Sequence, residues 1–104
     1  MDAQELSGLL ELAAKASGKT LRFNSLGGVD ARYPWAPHED SGDALQLACD
    51  LSIDILHRFV GGQRVEAIAP GVQPIIEFCT EETRAEATRL AVLRAAAAVA
   101  ERMS

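Results

Sequence analysis

Four residues with acid–base or metal-binding side chains lie close together in the middle of the chain: His38, Glu39, Asp40 and Asp43. Two carboxylates can share the work of hydrolysis, and a histidine with a carboxylate can ligate a metal ion. Ser41, however, is well placed to begin a helix. Aspartates at a helix N-terminus accept its free backbone N–H groups and complement its dipole. The sequence therefore predicts helix caps here, and it assigns no catalytic residue and no metal ligand.

A proline-bounded aromatic loop precedes that helix start. Trp35 is the single tryptophan of the chain, it lies between Pro34 and Pro37, and Tyr33 stands two positions before it. Because neither proline has a backbone N–H, regular structure is excluded there. An indole held in this way can stack on a base or another flat ligand group, or it can cover a small core. The sequence is compatible with both roles.

Arginine supplies eight of the ten basic residues, and its planar guanidinium suits phosphate or carboxylate better than lysine does. A GC-rich genome gives the same bias. Arg84, near the start of the predicted last helix, opposes the helix dipole, so it either faces an anion or partner or pairs with Glu81 or a neighbouring acid. Arg22, Arg32 and Arg64 fall at strand or turn positions, where they line a shared groove or face solvent. The predicted ligand-binding residues are Trp35, Tyr33, His38, Arg84, Arg22 and Arg64.

Composition excludes several classes of function. A chain of 104 residues is expected to form one domain, and a net charge of −5 argues against general nucleic-acid binding. No apolar run approaches the roughly 20 residues that span a bilayer. The N-terminal segment MDAQELSGLLEL carries acids where a signal peptide carries bases. Cys49 and Cys79 have no metal-ligand spacing, so we expect reduced core thiols in a cytoplasmic protein.

Catalytic motifs are missing as well. The chain has no Gly-x-Ser-x-Gly sequence, and its two Gly-Gly pairs have the character of turns rather than of phosphate-binding loops. His57 shares one face of a predicted strand with Ile53, Ile55 and Phe59, which predicts a partly buried histidine instead of a catalytic base. We therefore expect a protein that is not an enzyme and uses no cofactor.

Hydrophobic spacing and turn residues predict the order α-ββ-α-βββ-α, an α+β layered sandwich with helices packed on a short antiparallel sheet. In the second helix the predicted buried stripe includes Leu45 and Leu47, and Thr83 with Glu86 has the spacing of a capping box in the last helix. The predicted elements are helix Ala3–Ser17, a weak hairpin of Thr20–Asn24 and Val29–Tyr33, helix Ser41–Leu51, strands Ser52–Phe59, Gln63–Ile68 and Gln73–Cys79, and a helix from Glu81 or Thr83 to Arg102.

Three segments carry a family resemblance: LLELAAKASG at 9–18, WAPHEDSGDALQLACDL at 35–51 and TRLAVLRAAAAVAE at 88–101. The Trp-x-Pro loop, the acidic-Gly-Asp-Ala-Leu helix start and the Arg/Ala-rich last helix resemble the small phage and prophage proteins grouped as the phage ABA sandwich domain. The resemblance implies a phage-encoded accessory protein, and it carries over no catalytic residues.

Three hypotheses of function follow. The first is a non-enzymatic accessory protein, with counter-defence as one setting, that binds and sequesters a small anionic, nucleotide-derived ligand. The second is a protein-interaction module that modulates a host or phage protein, and the third is a small hydrolase using Glu39, Asp40 and Asp43. Self-association as a dimer is also expected, because so small a domain buries only about 60–65% of its unfolded surface and the alanine-rich helix offers a close-packing face.

Overall fold

The longest helix lies between the sheet and the other two helices. A computed structural model describes residues 2–18 and 36–103. The last helix, α3, contacts α1 and α2, and it also contacts strands β2 and β3. The predicted α+β layered class is confirmed, while the predicted hairpin within 20–33 lies outside the described residues. The elements are α1 (Ala3–Ser17), α2 (Ser41–Leu51), β1 (Asp54–Arg58), β2 (Arg64–Ile68), β3 (Ile75–Phe78) and α3 (Arg84–Met103).

The alanine-rich composition of α3 explains its central position. Its buried residues occupy nearly every phase of the helix, and all but Val92 and Leu93 among them are alanines. Alanine is the best helix former, and a helix that is apolar all round is stable only when neighbours cover it on several sides. Small side chains also let the sheet and the α1–α2 pair approach closely.

The ends of α1 and α2 are formed by local contacts. Asp2 Oδ1 accepts a hydrogen bond from Glu5 N at 2.8 Å, and Gly18 closes α1 in the left-handed region. Asp40 caps α2, and Ser52 ends it with a φ of 55°. Because Ile53 N then donates to Ala48 O, the next strand begins two residues later than predicted.

Two predictions for α2 were wrong. Leu45 is 61% exposed and Cys49 is exposed, although both were expected in the core. The helix meets the core through a single narrow stripe of Ala44, Leu47 and Ala48, at i, i+3 and i+4. Leu45 and Cys49 form the adjacent stripe, which faces outward. Cys79, by contrast, packs against the core as predicted.

The three strands form an antiparallel meander in the order β1-β2-β3. Val65 and Ala67 of β2 are fully buried on the inner face, which packs on α3. The opposite side, here named the outer face, carries the row Leu56, Glu66 and Ile76 at its centre. The outer face is therefore the side of the sheet turned away from the described helices.

His57 pairs with Val65 and so belongs to the inner face, yet it is exposed. The prediction of a partly buried histidine was wrong, because α3 covers β2 and β3 and leaves the hairpin end of β1 open.

The predicted capping box of α3 is also absent. The Thr83 hydroxyl accepts from Thr80 N at 2.9 Å and lies 3.2 Å from the Thr80 hydroxyl. A Thr80–Thr83 turn thus precedes the helix, and the hydroxyl that a capping box would direct to Glu86 is turned back along the chain.

Candidate ligand site at the start of α2

Arg89 of α3 reaches the loop that precedes α2. Its Nε donates to the His38 carbonyl oxygen at 3.2 Å, and its Nη1 donates to Ser41 Oγ at 3.1 Å. The side chain is half-buried, and among the described residues no carboxylate lies within ion-pair distance of its guanidinium. Among the described residues, the acceptors that hold this positive charge at the start of α2 are therefore neutral.

His38 presents an unsatisfied polar atom beside Arg89. Its side chain is 20% exposed, and Nδ1 is buried without a hydrogen-bond partner in the described part of the chain. Nε2 lies 3.6 Å from Glu39 Oε1. A buried nitrogen without a hydrogen-bond partner costs about 1–3 kcal/mol of stability. A ligand that forms a hydrogen bond with Nδ1 would remove this penalty.

One of the acids caps α2, as the sequence predicted, while Asp43 accepts a hydrogen bond from the loop before the helix instead of from a helix N–H. Asp40 Oδ1 accepts from Asp43 N at 2.8 Å, and Asp43 Oδ2 accepts from Ala36 N at 2.8 Å. Ala36 directly follows Trp35 in the sequence, so Asp43 ties the end of the aromatic loop to α2. Within 2–18 and 36–103, no group of three or more histidine, cysteine or acidic side chains is arranged to hold a metal ion.

Two other predicted arginines contact the β1–β2 hairpin instead. Arg84 Nη2 donates to Gln63 Oε1 at 3.0 Å, and its guanidinium lies 4.9 Å from the centroid of the Phe59 ring. It is thus bound within the chain, although to Gln63 and Phe59 and not to Glu81 or a neighbouring acid as one interpretation expected. The structure does not bring Arg84 to His38.

Arg64 holds the turn of the same hairpin. Its Nη1 donates to Val60 O at 2.9 Å and to Gly62 O at 3.2 Å, while its Nε lies 3.6 Å from Glu66 Oε1. These contacts use the guanidinium to satisfy turn carbonyls and one acid. Trp35, Tyr33, Arg22 and Arg32 lie outside the described residues, and their part in a site stays a prediction.

Sequence reasoning missed Arg89. Locally, the sequence shows only that Arg89 is a cation in a helix rich in buried alanines. Because a half-buried guanidinium must be hydrogen-bonded, this position indicates a polar partner without identifying it. The partners His38 and Ser41 are some 50 positions earlier in the chain, so no local pattern identifies them. Arg84 was favoured because its conflict with the helix dipole is visible in sequence.

Two cavities lie away from this site. One, of about 450 Å³, is lined by Glu5, Gly8, Leu9, Leu12 and Arg94, between α1 and α3. The other, of about 200 Å³, lies between β3 and α3 next to Glu77. Arg94 Nη1 approaches Glu77 Oε1 to 3.1 Å, so the cation of the first cavity is already paired with an acid.

No helix in the described ranges is both long and apolar enough to cross a membrane. No protein-family model, curated protein or solved structure matches the chain to a significant degree.

Proposed function

We propose that this chain is a non-enzymatic phage accessory protein, working in the host cytoplasm, that binds and sequesters a small anionic, nucleotide-derived ligand. The observation that carries the proposal is the half-buried Arg89 guanidinium, which has no carboxylate at ion-pair distance among the described residues of a protein with net charge −5. The phage setting, including counter-defence, rests on the resemblance to the phage ABA sandwich domain. A stoichiometric binder needs a pocket and no catalytic group.

The donors at the site suit an anionic oxygen. A guanidinium has five N–H groups, and within the described part of the chain Arg89 uses two of them on His38 and Ser41, which leaves three for a ligand. In the first turn of α2, the Ser41 and Gly42 N–H groups have no acceptor within the described chain. Backbone N–H groups at a helix N-terminus favour anions. In this arrangement His38 Nδ1 supplies one more polar contact, and Trp35 supplies the flat surface.

The surrounding acids limit the charge that the ligand carries. Glu39, Asp40 and Asp43 lie in the same loop and first turn. Two unit charges about 6 Å apart repel by roughly 0.7 kcal/mol in water and by more at a lower dielectric. Each added negative charge on the ligand therefore weakens binding. We expect a cyclic dinucleotide or a cyclic ADP-ribose isomer to bind better than a nucleoside triphosphate.

A thermal-shift screen followed by calorimetry tests the proposal. The panel contains cyclic dinucleotides, cyclic ADP-ribose isomers, nucleoside monophosphates and nucleoside triphosphates. A ligand at a hundred times its Kd stabilises the native state by about 2.7 kcal/mol, which is several degrees of Tm. Arg89→Gln and Trp35→Ala are each expected to lose at least about tenfold in affinity, or about 1.4 kcal/mol.

Arg102→Gln provides the matched control. This arginine lies in the last turn of the same helix, where it is exposed, and its replacement should leave the affinity unchanged. A flat screen would refute the proposal. So would a bound nucleotide whose affinity is equal in the wild-type protein and in folded Arg89→Gln and Trp35→Ala variants.

A second candidate function is protein interaction, and the outer face of the sheet favours it. Phe78, Ile76 and Leu56 are exposed there by 72, 47 and 36%. Co-purification of one defined phage or host protein, lost in Phe78→Ser and accompanied by a flat nucleotide screen, would select this function over ligand sequestration.

A further inference from the structure

The outer face concentrates apolar surface that the described chain leaves uncovered. Its side chains alternate with those that pack on α3, and the core cluster includes Val65 and Ala67 but none of Leu56, Ile76 and Phe78. Burying apolar surface away from water is favourable. Exposed apolar side chains gathered on one face, here interrupted by Glu66 and Arg64 of the middle strand, are typical of an interaction site.

Pairing of strand edges is a poor way to cover this surface. Cys79 N donates to Gln63 O at 3.1 Å, so the odd-numbered residues of β3 face β2, and the backbone groups of Ile76 and Phe78 face the other edge. An antiparallel partner using both residues would set Glu77 directly opposite Glu77 of a second copy. Glu77 points towards α3, where Arg94 Nη1 lies 3.1 Å from its Oε1, and an inward-pointing charge on an edge strand is a known protection against edge pairing.

The charges of the outer face are arranged along β1. Arg58 lies at one end of the strand and Asp54 at the other, about 13 Å away. In the central row, Glu66 Oε2 accepts from Arg58 Nε at 2.9 Å, and its Oε1 lies 3.6 Å from Arg64 Nε. The two positive charges of Arg58 and Arg64 balance the two negative charges of Asp54 and Glu66. This face is therefore neutral, although the whole chain has a net charge of −5.

From this pattern we infer that the outer face binds a second copy of this chain, sheet against sheet, about a twofold axis that crosses the strands at the row Leu56–Glu66–Ile76. Rotation about this axis places β1 of one copy over β1 of the other, with the two strands running in opposite directions. Asp54 of each copy then lies opposite Arg58 of the other, so both charged ends find an opposite charge. An isologous contact needs such self-complementarity, and a neutral face removes the repulsion between two copies of an acidic protein.

The centre of this contact is apolar apart from Glu66. Leu56 meets Leu56 and Ile76 meets Ile76 of the second copy, at the roughly 10 Å separation of packed sheets. The two copies of Glu66 face each other across the axis, and the carboxylate of each is already compensated by Arg58 and Arg64 of its own chain. Five residues by three strands cover only about 16 by 14 Å. This is well below the roughly 800 Å² per partner of a standard interface, so we expect a weak, reversible dimer with a dissociation constant in the high micromolar range.

Sedimentation velocity over about three decades of concentration around the micromolar range tests this inference. Asp54→Arg alone and Arg58→Asp alone are each expected to be monomeric, because each places two like-charged pairs across the axis. An equimolar mixture of the two variants should dimerise, because both pairs are then of opposite sign. Phe78→Ser should also be monomeric, and Leu45→Ser, on exposed α2 surface, should behave as wild type.

Circular dichroism and urea unfolding of each variant separate loss of association from loss of folding. If Arg58→Asp fails to fold because Glu66 loses its partner, the concentration dependence of the sedimentation coefficient of Asp54→Arg and Phe78→Ser decides whether this face forms the dimer. A wild-type protein that stays monomeric overturns the inference, as does a dimer that persists in Asp54→Arg and Phe78→Ser. Capture of a different protein on this face by a monomer also overturns it. Nucleotide binding at Arg89 is measured separately and is unaffected by any of these results.

Discussion

Alanine substitutions at Leu45 and Leu47 should show which face of α2 is buried. The sequence predicted both leucines in the core, whereas the structure buries Leu47 alone of the two. Leu47 is 1% exposed and belongs to the core cluster, whereas Leu45, two residues earlier, is 61% exposed. Leu47→Ala removes a buried side chain and leaves a cavity, which costs about 2.7–5 kcal/mol. Leu45→Ala removes no core contact, so its effect should stay within about 0.5 kcal/mol.

The size of this difference makes the assay simple. A 104-residue domain has a free energy of unfolding of about 5–15 kcal/mol, so a loss of about 3 kcal/mol leaves it folded but much weakened. With a urea m-value of about 1.5 kcal/mol per molar, the midpoint should fall by about 2 M for Leu47→Ala and barely move for Leu45→Ala. The Tm should fall by more than about 10 °C in the first variant only.

Leu47→Met controls for volume, since a volume-conserving change in the core costs less than about 1.5 kcal/mol. Equal destabilisation by Leu45→Ala and Leu47→Ala would refute the packing of α2 described here. A changed m-value would instead mean that the mutation altered the compactness of the denatured or native state, or that unfolding was no longer two-state.

Three further predictions concern glycine, pH and thiols. Gly8→Ala should raise the free energy of unfolding by about 0.5–1 kcal/mol, since Gly8 is helical with open space at its Cβ position. Gly71→Ala should lower it by about 1 kcal/mol, because Gly71 has a φ of +76°; equal urea midpoints would contradict both. The hydrogen bond from Arg58 and the two arginine charges lower the pKa of Glu66. Ionised Glu66 therefore stabilises the native protein at pH values above the ordinary pKa of a glutamate. That stabilisation is lost as the pH falls through the lowered pKa. Acid titration of stability should show this loss in wild type and not in Glu66→Gln, and superimposed profiles would exclude the effect. Cys49 should react with a thiol reagent in the native protein faster than Cys79, and a single common rate would contradict their different exposure.

Local chemistry made most of the element boundaries predictable. Asp2 and Asp40 each accept a backbone N–H three residues ahead, and Gly18 adopts the left-handed conformation that ends a helix. Such contacts span only a few residues, so they leave a readable pattern. Boundaries of β1 were less accurate, because Ser52 continues the end of α2 instead of starting the strand.

The candidate site was only partly predictable. His38 was singled out from its neighbours in sequence, and the structure joins it to an arginine that sequence reasoning did not choose. Arg84, which was chosen, is occupied by Gln63 and Phe59 of the β1–β2 hairpin. A guanidinium reaches several ångströms from its backbone, so its partner depends on which elements pack beside it.

The sequence by itself determined the α+β class, the two helices before the last, the three-stranded meander and the Asp40 cap of α2, because these depend on hydrophobic period and on contacts between near neighbours. Only the tertiary structure decided that Leu45 faces outward, that His57 is left uncovered and that Arg89 lies at the start of α2. Each of these depends on how far α3 covers its neighbours, and that coverage results from packing between elements many residues apart.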